Sequence, residues 1–216
     1  MKITIRKEEE KDYRRIEEIT REAFWNLYIP GAMEHYIAHS IRKHPDYLPE
    51  LSFVIELEGD IIGSIMYTRA KVVDSAGQEH PLISFGPVSI LPKYHRQGFG
   101  RMLIEHSIDE AKKQGYNAII LGGFTYHYHP YGFEGSKKYN IAMPDGKFYT
   151  GIMALPLYEG ALDQISGTVH FSEAMYPDEA GFAEYDATFP EKEKKVLPCQ
   201  AKFEAAVSEI DTESYE

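Results

Sequence analysis

The sequence predicts an α/β fold of the α+β kind: a mixed, mostly antiparallel central sheet with a splayed strand pair, flanked by helices. Three observations carry this. Residues 51–90 alternate apolar stretches with short Gly/Asp turns, as an antiparallel meander does. Residues 84–113 then read as strand, glycine turn and amphipathic helix. The continuous apolar run Ala118-Ile119-Ile120-Leu121 comes next. A strand reached through a helical crossover pairs in parallel with the strand before it.

The chain has 216 residues, enough for one domain with a sizeable core and an appendage. At 43% hydrophobic and 26% charged it is composed like an ordinary globular protein, not a disordered one. A net charge of −11 argues against a nucleic-acid partner, which a basic balance would favour. The single cysteine, Cys199, excludes a disulfide within the chain and suits a reducing cytoplasm. It reads as incidental rather than catalytic. The first residues lack a signal peptide's apolar core, and no apolar run is long enough to span a membrane. The expected location is therefore cytoplasmic, without a membrane partner.

Taken in order, residues 2–6 alternate and form a first strand. Residues 8–24 have Tyr13, Ile16, Ile19 and Ala23 on one helical face, with Glu8, Glu9, Glu10 and Asp12 near the start, where the helix dipole favours acid. An aromatic loop follows over residues 25–31, with Trp25 expected to pack in the core. Residues 33–43 form a second helix that ends before Pro45. Strands at 51–57 and 61–73 flank the hairpin turn Glu58-Gly59-Asp60. A further turn at Asp74-Ser75-Ala76-Gly77 leads to the strand beginning near Pro81. Gly86-Pro87 interrupts that strand, which suits a bulge or splay.

Gly98 and Gly100 open the next helix, whose apolar positions are Leu103, Ile104, Ile108 and Ala111. Its first amides have no internal partner and the dipole favours an anion there. Arg96 and Arg101 flank the turn and suit a diphosphate. The same residues also suit a plain turn capped by surface arginines, and the local pattern does not separate the two. A Walker loop would need Gly-Lys-Ser/Thr, and a dinucleotide fingerprint would need a third glycine where Leu103 stands.

Gly115-Tyr116 ends the helix and residues 117–121 form a buried strand. The segment from Gly122 to Phe133 then gathers His127, His129, Tyr126, Tyr128 and Tyr131 at a strand end, a common place for chemistry. The two histidines have no carboxylate or cysteine cluster beside them, so no metal is expected. Residues 138–142 and 151–157 complete the strands across the turn Pro144-Asp145-Gly146. From Pro177 onward, eleven acidic residues face four lysines, so −7 of the −11 lies in the tail. Most of it reads as solvated surface. Phe203, Val207 and Ile210 recur at helical spacing, so a short helix after Pro198 is expected to dock.

The six positions His95-Arg96-Gln97-Gly98-Phe99-Gly100 resemble motif A of the GCN5-related N-acetyltransferases (GNAT), Arg/Gln-x-x-Gly-x-Gly/Ala after a splayed strand. His95 departs from the pattern's first position. The resemblance implies the GNAT fold and acetyl-CoA as cosubstrate. Arg96, Gln97, Gly98, Phe99, Gly100 and Arg101 would hold its pyrophosphate. Val88, Ser89 and Ile90 would pair with its pantetheine arm through their backbone, and the N–H near Val88 would receive the thioester carbonyl.

Tyr128-x-x-x-Gly132-Phe133 resembles the family's motif B, which implies Tyr128 beside the sulfur as general acid. Tyr126 and Tyr131 compete for that role. The helix–loop–helix of residues 8–43 would line the acceptor pocket. Some relatives carry a glutamate base where Ser84 stands, leaving Glu34, His35 or His80 through a water chain. Residues 153–171 resemble the closing segment of a bacterial branch, the YhbS-like acetyltransferases.

The resemblance spans residues 1–175, with 176–216 an acidic extension. It implies an N-acetyltransferase acting on a primary amine of a small molecule or peptide, without a metal. The alternative is a CoA-holding sensor whose tail recruits a partner. A second copy of the chain, as a homodimer, completes the expected partners.

Overall fold

The computed structural model describes residues 2–177 and 179–215. The chain divides into two compact units. The first holds the N-terminal stretch through Thr68, Gly86–Glu110 and Ser172–Gln200; the second holds Arg69–Phe85, Ala111–Phe171 and the residues from Ala201 onward.

In the first unit, β1 (Ile3–Lys7) pairs antiparallel with β2 (Phe53–Leu57), Ile5 opposite Ile55. β2 pairs antiparallel with the start of β3 (Asp60–Val73), Phe53 opposite Ile65. The turn between them is tighter than expected. Glu58 (φ 52°) and Gly59 (φ 91°) both take positive φ, as a two-residue hairpin loop requires, and Asp60 already pairs with Leu57.

Helix α1 (Tyr13–Phe24) begins later than the acidic run suggests. Residues Glu10–Asp12 form a 3-10 turn, and Asp12 is drawn off to accept from Glu9 N (2.9 Å) and Arg6 Nη1 (2.6 Å). Ile16 and Ile19 are fully buried on its inner face. α2 (Glu34–Ser40) continues as a 3-10 turn, Ile41–Lys43, from which Arg42 bonds Glu8 and Glu17 at 3.0 Å. α3 (Phe99–Lys113) buries Phe99, Leu103, Ile104 and Ile108, the apolar spacing read from the sequence.

In the second unit, β4 (Glu79–Ile90), whose last residues belong to the first unit, meets β5 (Ala118–Gly122). The two strands expected to splay are joined in parallel at Ile83 opposite Ile119. β4 runs through Gly86-Pro87, whose peptide is cis, without ending there. α4 (Thr125–Tyr128) and β6 (Glu134–Gly135) follow β5. β8 (Ile152–Pro156) pairs antiparallel with β5 and with β6. β9 (Gly167–Phe171) pairs antiparallel with β3 and parallel with β7 (Ile141–Ala142). The hydrogen-bonded order is β1-β2-β3-β4-β5-β8-β6, a mixed, mostly antiparallel sheet as expected. Val72, Leu82, Ile120, Ile141, Ala154 and Val169 belong to this unit's core.

One strand expectation is corrected. The strand expected over 138–142 shrinks to β7, because Ser136–Tyr139 form a 3-10 turn and Asn140 closes it in the left-handed region (φ 54°). Most of the described tail is exposed, as expected, but it is anchored at a few points. α5 (Glu179–Asp186) and α6 (Pro198–Ser208) are both packed, and Phe189, Gln200 and Asp211 are buried.

In the second unit, the Phe203 ring of α6 meets Phe124 edge-on at 5.5 Å, and Thr150 N donates to Glu209 O (2.9 Å). Phe203 is half-buried rather than fully buried. The helix stops at Ser208, so Ile210 leaves the expected face, bridges to Tyr149 and stays 45% exposed.

Candidate active site

The end of β4 is set by alternation. Val88 and Ile90 are half-exposed, whereas Ser89 is 2% exposed. The Ser89 hydroxyl lies within hydrogen-bond distance of Thr20 Oγ1 (3.1 Å) and Ser64 Oγ (3.2 Å). The hydroxyls anchor this strand to α1 and β3. Gly63 adds to the close approach: a Cβ there would sit 2.5 Å from Ser89 O. The sequence reading passed over Gly63, although a glycine inside a strand is a signal of close backbone approach.

A 3-10 turn at Pro92–Tyr94 leads into the glycine loop. His95, the departure from the family pattern, donates from Nε2 to Ile90 O (2.7 Å) and ties the loop back to the strand. Gln97 Nε2 donates to Lys93 O (3.0 Å). Arg96 (φ 59°) and Gly98 (φ 89°) both adopt left-handed backbone. At Gly98 this conformation by itself calls for glycine. A Cβ on Gly98 would meet nothing within 4 Å, so the loop's outer side is open. The first helical bond runs from Met102 N to Gly98 O (3.0 Å). The amides before it have no partner inside the helix.

Arg96, Gln97, Gly98 and Arg101 are exposed, with Arg101 paired to Glu105 at 3.6 Å. Phe99 differs. Its ring is buried edge-on to Tyr94 (5.9 Å), so only its backbone is available to a ligand. The residues present fit a diphosphate: open backbone, free helix-terminal amides and two exposed guanidinium groups.

In the second unit, Tyr128 ends α4. Its ring packs against Phe85 and Phe133, both at 5.8 Å. Gly123 lies beneath it, where a Cβ would come within 2.7 Å of Tyr128 Cε2. Burial, with Tyr131 nearby, pushes the Tyr128 phenol up to about 12. It is therefore protonated at neutral pH. Of its rivals, Tyr126 is 65% exposed and Tyr131 is half-buried. His127 is pushed below its ordinary value by burial. Among the described residues, no cluster of three or more metal-ligating side chains forms.

The residues considered for the base have different fates. Ser84 is buried. His80 Nε2 bonds Asp74 Oδ2 (3.0 Å). His35 is 0% exposed, donates to Asp186 Oδ1 (2.9 Å), and is pushed down to about 4 by burial. Glu34 accepts from Met33 N (3.0 Å), and burial raises its affinity for a proton. Trp25, expected in the core, is half-buried, with its indole N–H donating to Glu193 O (3.0 Å).

Residues 13–130, more than half of the chain, match the sequence model of the acetyltransferase (GNAT) family. The chain belongs to this family. It carries an acetyltransferase domain that includes both the glycine loop and Tyr128. Among curated relatives, the probable hydrolase YhcX of Bacillus subtilis is 26% identical over 93% of this chain. The match spans only 40% of YhcX's own length.

Among solved structures, the GNAT N-acetyltransferase YhbS of Escherichia coli in complex with CoA superposes with a TM-score of 0.70. It is 22% identical, over 81% of this chain and 92% of that one. A GNAT acetyltransferase of Brucella melitensis in complex with acetyl-CoA gives a TM-score of 0.64 at 24% identity, over 81% and 98% of the two chains. These two likenesses show the fold. Among the described residues, no helix is long and apolar enough to cross a membrane.

Proposed function

We propose that the protein moves an acetyl group from acetyl-CoA to a primary amine of a small molecule or peptide. One observation carries the proposal: the open, exposed glycine loop at the start of α3, inside the segment that matches the GNAT family. The relatives crystallised with CoA and acetyl-CoA support the choice of cosubstrate. In this reading, the amides of residues 96–101, with Arg96 and Arg101, hold the pyrophosphate. The backbone of Val88, Ser89 and Ile90 pairs with the pantetheine arm. The N–H near Val88 stabilises the charge that develops on the thioester oxygen when the amine attacks.

Tyr128 then gives its proton to the departing thiolate. Its raised pKa supports that role, since the phenol stays protonated across the neutral range. The amine must lose a proton, and Ser84 cannot take it; Glu34 is the candidate base. Residues 1–175 form the catalytic domain in this proposal, and 176–216 an extension that both units incorporate. The same buried Ser84 is what favours the second reading, a CoA-holding sensor without turnover.

The test is acetyl-CoA consumption by the purified protein across a panel of primary amines. Amine-dependent release of CoA supports transfer. Tight acetyl-CoA binding with no stimulation by any amine supports the sensor.

A further inference from the structure

Asn26 follows the end of α1 with φ 60° and is 8% exposed. All of its polar groups are engaged. Its N–H donates to Gly31 O (2.7 Å) and its Oδ1 accepts from Gly31 N (2.8 Å), which closes the loop of residues 26–31 on itself. Its other bonds run to the C-terminal tail. Asn26 Nδ2 donates to Glu193 O (3.1 Å), Oδ1 accepts also from Lys195 N (2.9 Å), and its main-chain O accepts from Gln200 Nε2 (3.1 Å). The Trp25 indole N–H donates to the same Glu193 O (3.0 Å), and the Arg21 guanidinium stacks over the Trp25 ring at 4.2 Å.

The tail grips the two flanking helices as well. Asp186 Oδ1 accepts from Arg21 Nε (2.8 Å) at the end of α1 and from His35 Nε2 (2.9 Å) on α2. Arg21 Nη1 donates onward to Pro190 O (3.1 Å). The Lys194 stem lies against Gly31, 3.2 Å from where a Cβ would be. All of these residues lie in the first unit. A surface loop with this many polar groups is normally mobile unless something holds it. Here residues 186–200 do the holding. Asparagine suits the hub, because it tolerates left-handed backbone and offers both a donor and an acceptor.

We infer that residues 186–200 are a strap that sets the conformation of the acceptor loop, residues 25–31, with Asn26 as the positioning residue through which it acts. The inference rests on the reading that the α1–loop–α2 segment lines the acceptor pocket. It gives the tail a role in holding the amine acceptor and none in holding acetyl-CoA.

The test uses the full chain and its single tryptophan, Trp25. Asn26→Gly keeps the left-handed backbone and removes the side-chain bonds. Asn26→Asp keeps the shape and the acceptor oxygen and removes the donor to Glu193 O, a second variant should the first fold poorly. Both should raise acrylamide quenching of Trp25 fluorescence while leaving the acetyl-CoA dissociation constant unchanged. The KM for the amine found in the screen should rise while kcat changes less. The rise should be about tenfold, the scale of one or two lost hydrogen bonds.

Parental quenching in both variants overturns the strap. So does raised quenching with an unchanged amine KM, or an equal loss of acetyl-CoA affinity. If the parent acetylates no amine, the functional reading fails separately and quenching alone decides the strap: raised supports it, unchanged overturns it.

Discussion

In the proposed site, the turn at residues 95–101 would offer a ligand its backbone, and the segment at residues 123–133 a side chain. In the turn, the Phe99 ring is buried, Arg96, Gln97 and Arg101 are exposed, and the space beside Gly98 is open. Its shape depends on two left-handed residues, Arg96 and Gly98, and on the His95 bond to Ile90 O. In the aromatic segment, the backbone is secondary. Tyr128 is held by a tilted contact with Phe85, an edge-on contact with Phe133 and the absence of a side chain on Gly123. A site made of backbone tolerates exchange of most of its side chains. A site made of one phenol depends on each neighbour that fixes the ring.

The largest effect expected from this contrast is at Tyr128. Tyr128→Phe keeps the packing and removes the proton, so kcat should fall by about 10²–10⁴-fold while acetyl-CoA affinity holds. Tyr126→Phe and Tyr131→Phe should leave kcat near the parental value. A parental rate for Tyr128→Phe, with chemistry limiting, would move the acid to a neighbouring tyrosine or a water.

Gly123→Ala is the next largest. Its Cβ cannot coexist with the Tyr128 ring where it stands, so the ring must shift. A displacement of about 1 Å is worth up to roughly 10²-fold in rate. Rate measurements paired with acetyl-CoA titration should show the loss in kcat alone.

The turn should respond in the opposite way. Arg101→Glu places acid in the first turn of α3, where the helix dipole favours it, and loses the Glu105 pair for a like-charge neighbour, two small opposing effects that should leave the melting temperature nearly unchanged. Acetyl-CoA affinity should drop by about tenfold, an effect that shrinks as salt screens the charges. An unchanged affinity at low salt would remove Arg101 from the pyrophosphate site.

The smallest expected effect is on stability at high pH. The Tyr128 phenol is raised from its ordinary value near 10 to about 12. Between those values the folded chain binds more protons than the unfolded chain. The stability contribution of this group is therefore complete below about pH 10 and declines as pH climbs towards 12. Tyr128→Phe should remove that part of the decline in denaturant midpoints measured across this window. Equal slopes in parent and variant would mean that the phenol is not perturbed.

The same contrast explains what could be read from the sequence. The glycine turn was legible as a helix start because two glycines and the apolar spacing after them are local; what it would hold came only from its resemblance to motif A, since the local pattern also suits a plain turn. The antiparallel meander and the inner face of α3 were legible for the same reason, since apolar spacing is a local property. Tyr128 was singled out by its resemblance to motif B, while its different packing from Tyr126 and Tyr131 comes from residues far off in the chain, such as Phe85.

Gly63 went unread because it leaves room for Ser89 and Ile90 far along the chain, and Gly123 because the ring it admits, Tyr128, is brought over it only by the fold. The short β7 was misjudged because Asn140 takes left-handed backbone, which many asparagines do not. The tail was read rightly as mostly exposed with a docked helix, but its anchoring points were not legible, because net charge describes only its outer face. Asp186 is held, and Phe189 and Gln200 are buried, by contacts with partners more than 150 residues earlier in the chain, among them Arg21 and Asn26.

The most direct test of the central claim is a titration of the purified chain with acetyl-CoA, read by calorimetry and by thermal melting. The account predicts saturable binding at one site, and stabilisation by about 2.7 kcal/mol when the ligand stands at a hundred times its dissociation constant. Arg101→Glu should weaken the binding and Tyr128→Phe should leave it intact. No heat and no shift in melting with acetyl-CoA, CoA or any longer acyl-CoA would contradict the assignment of the loop, and with it the proposed transfer.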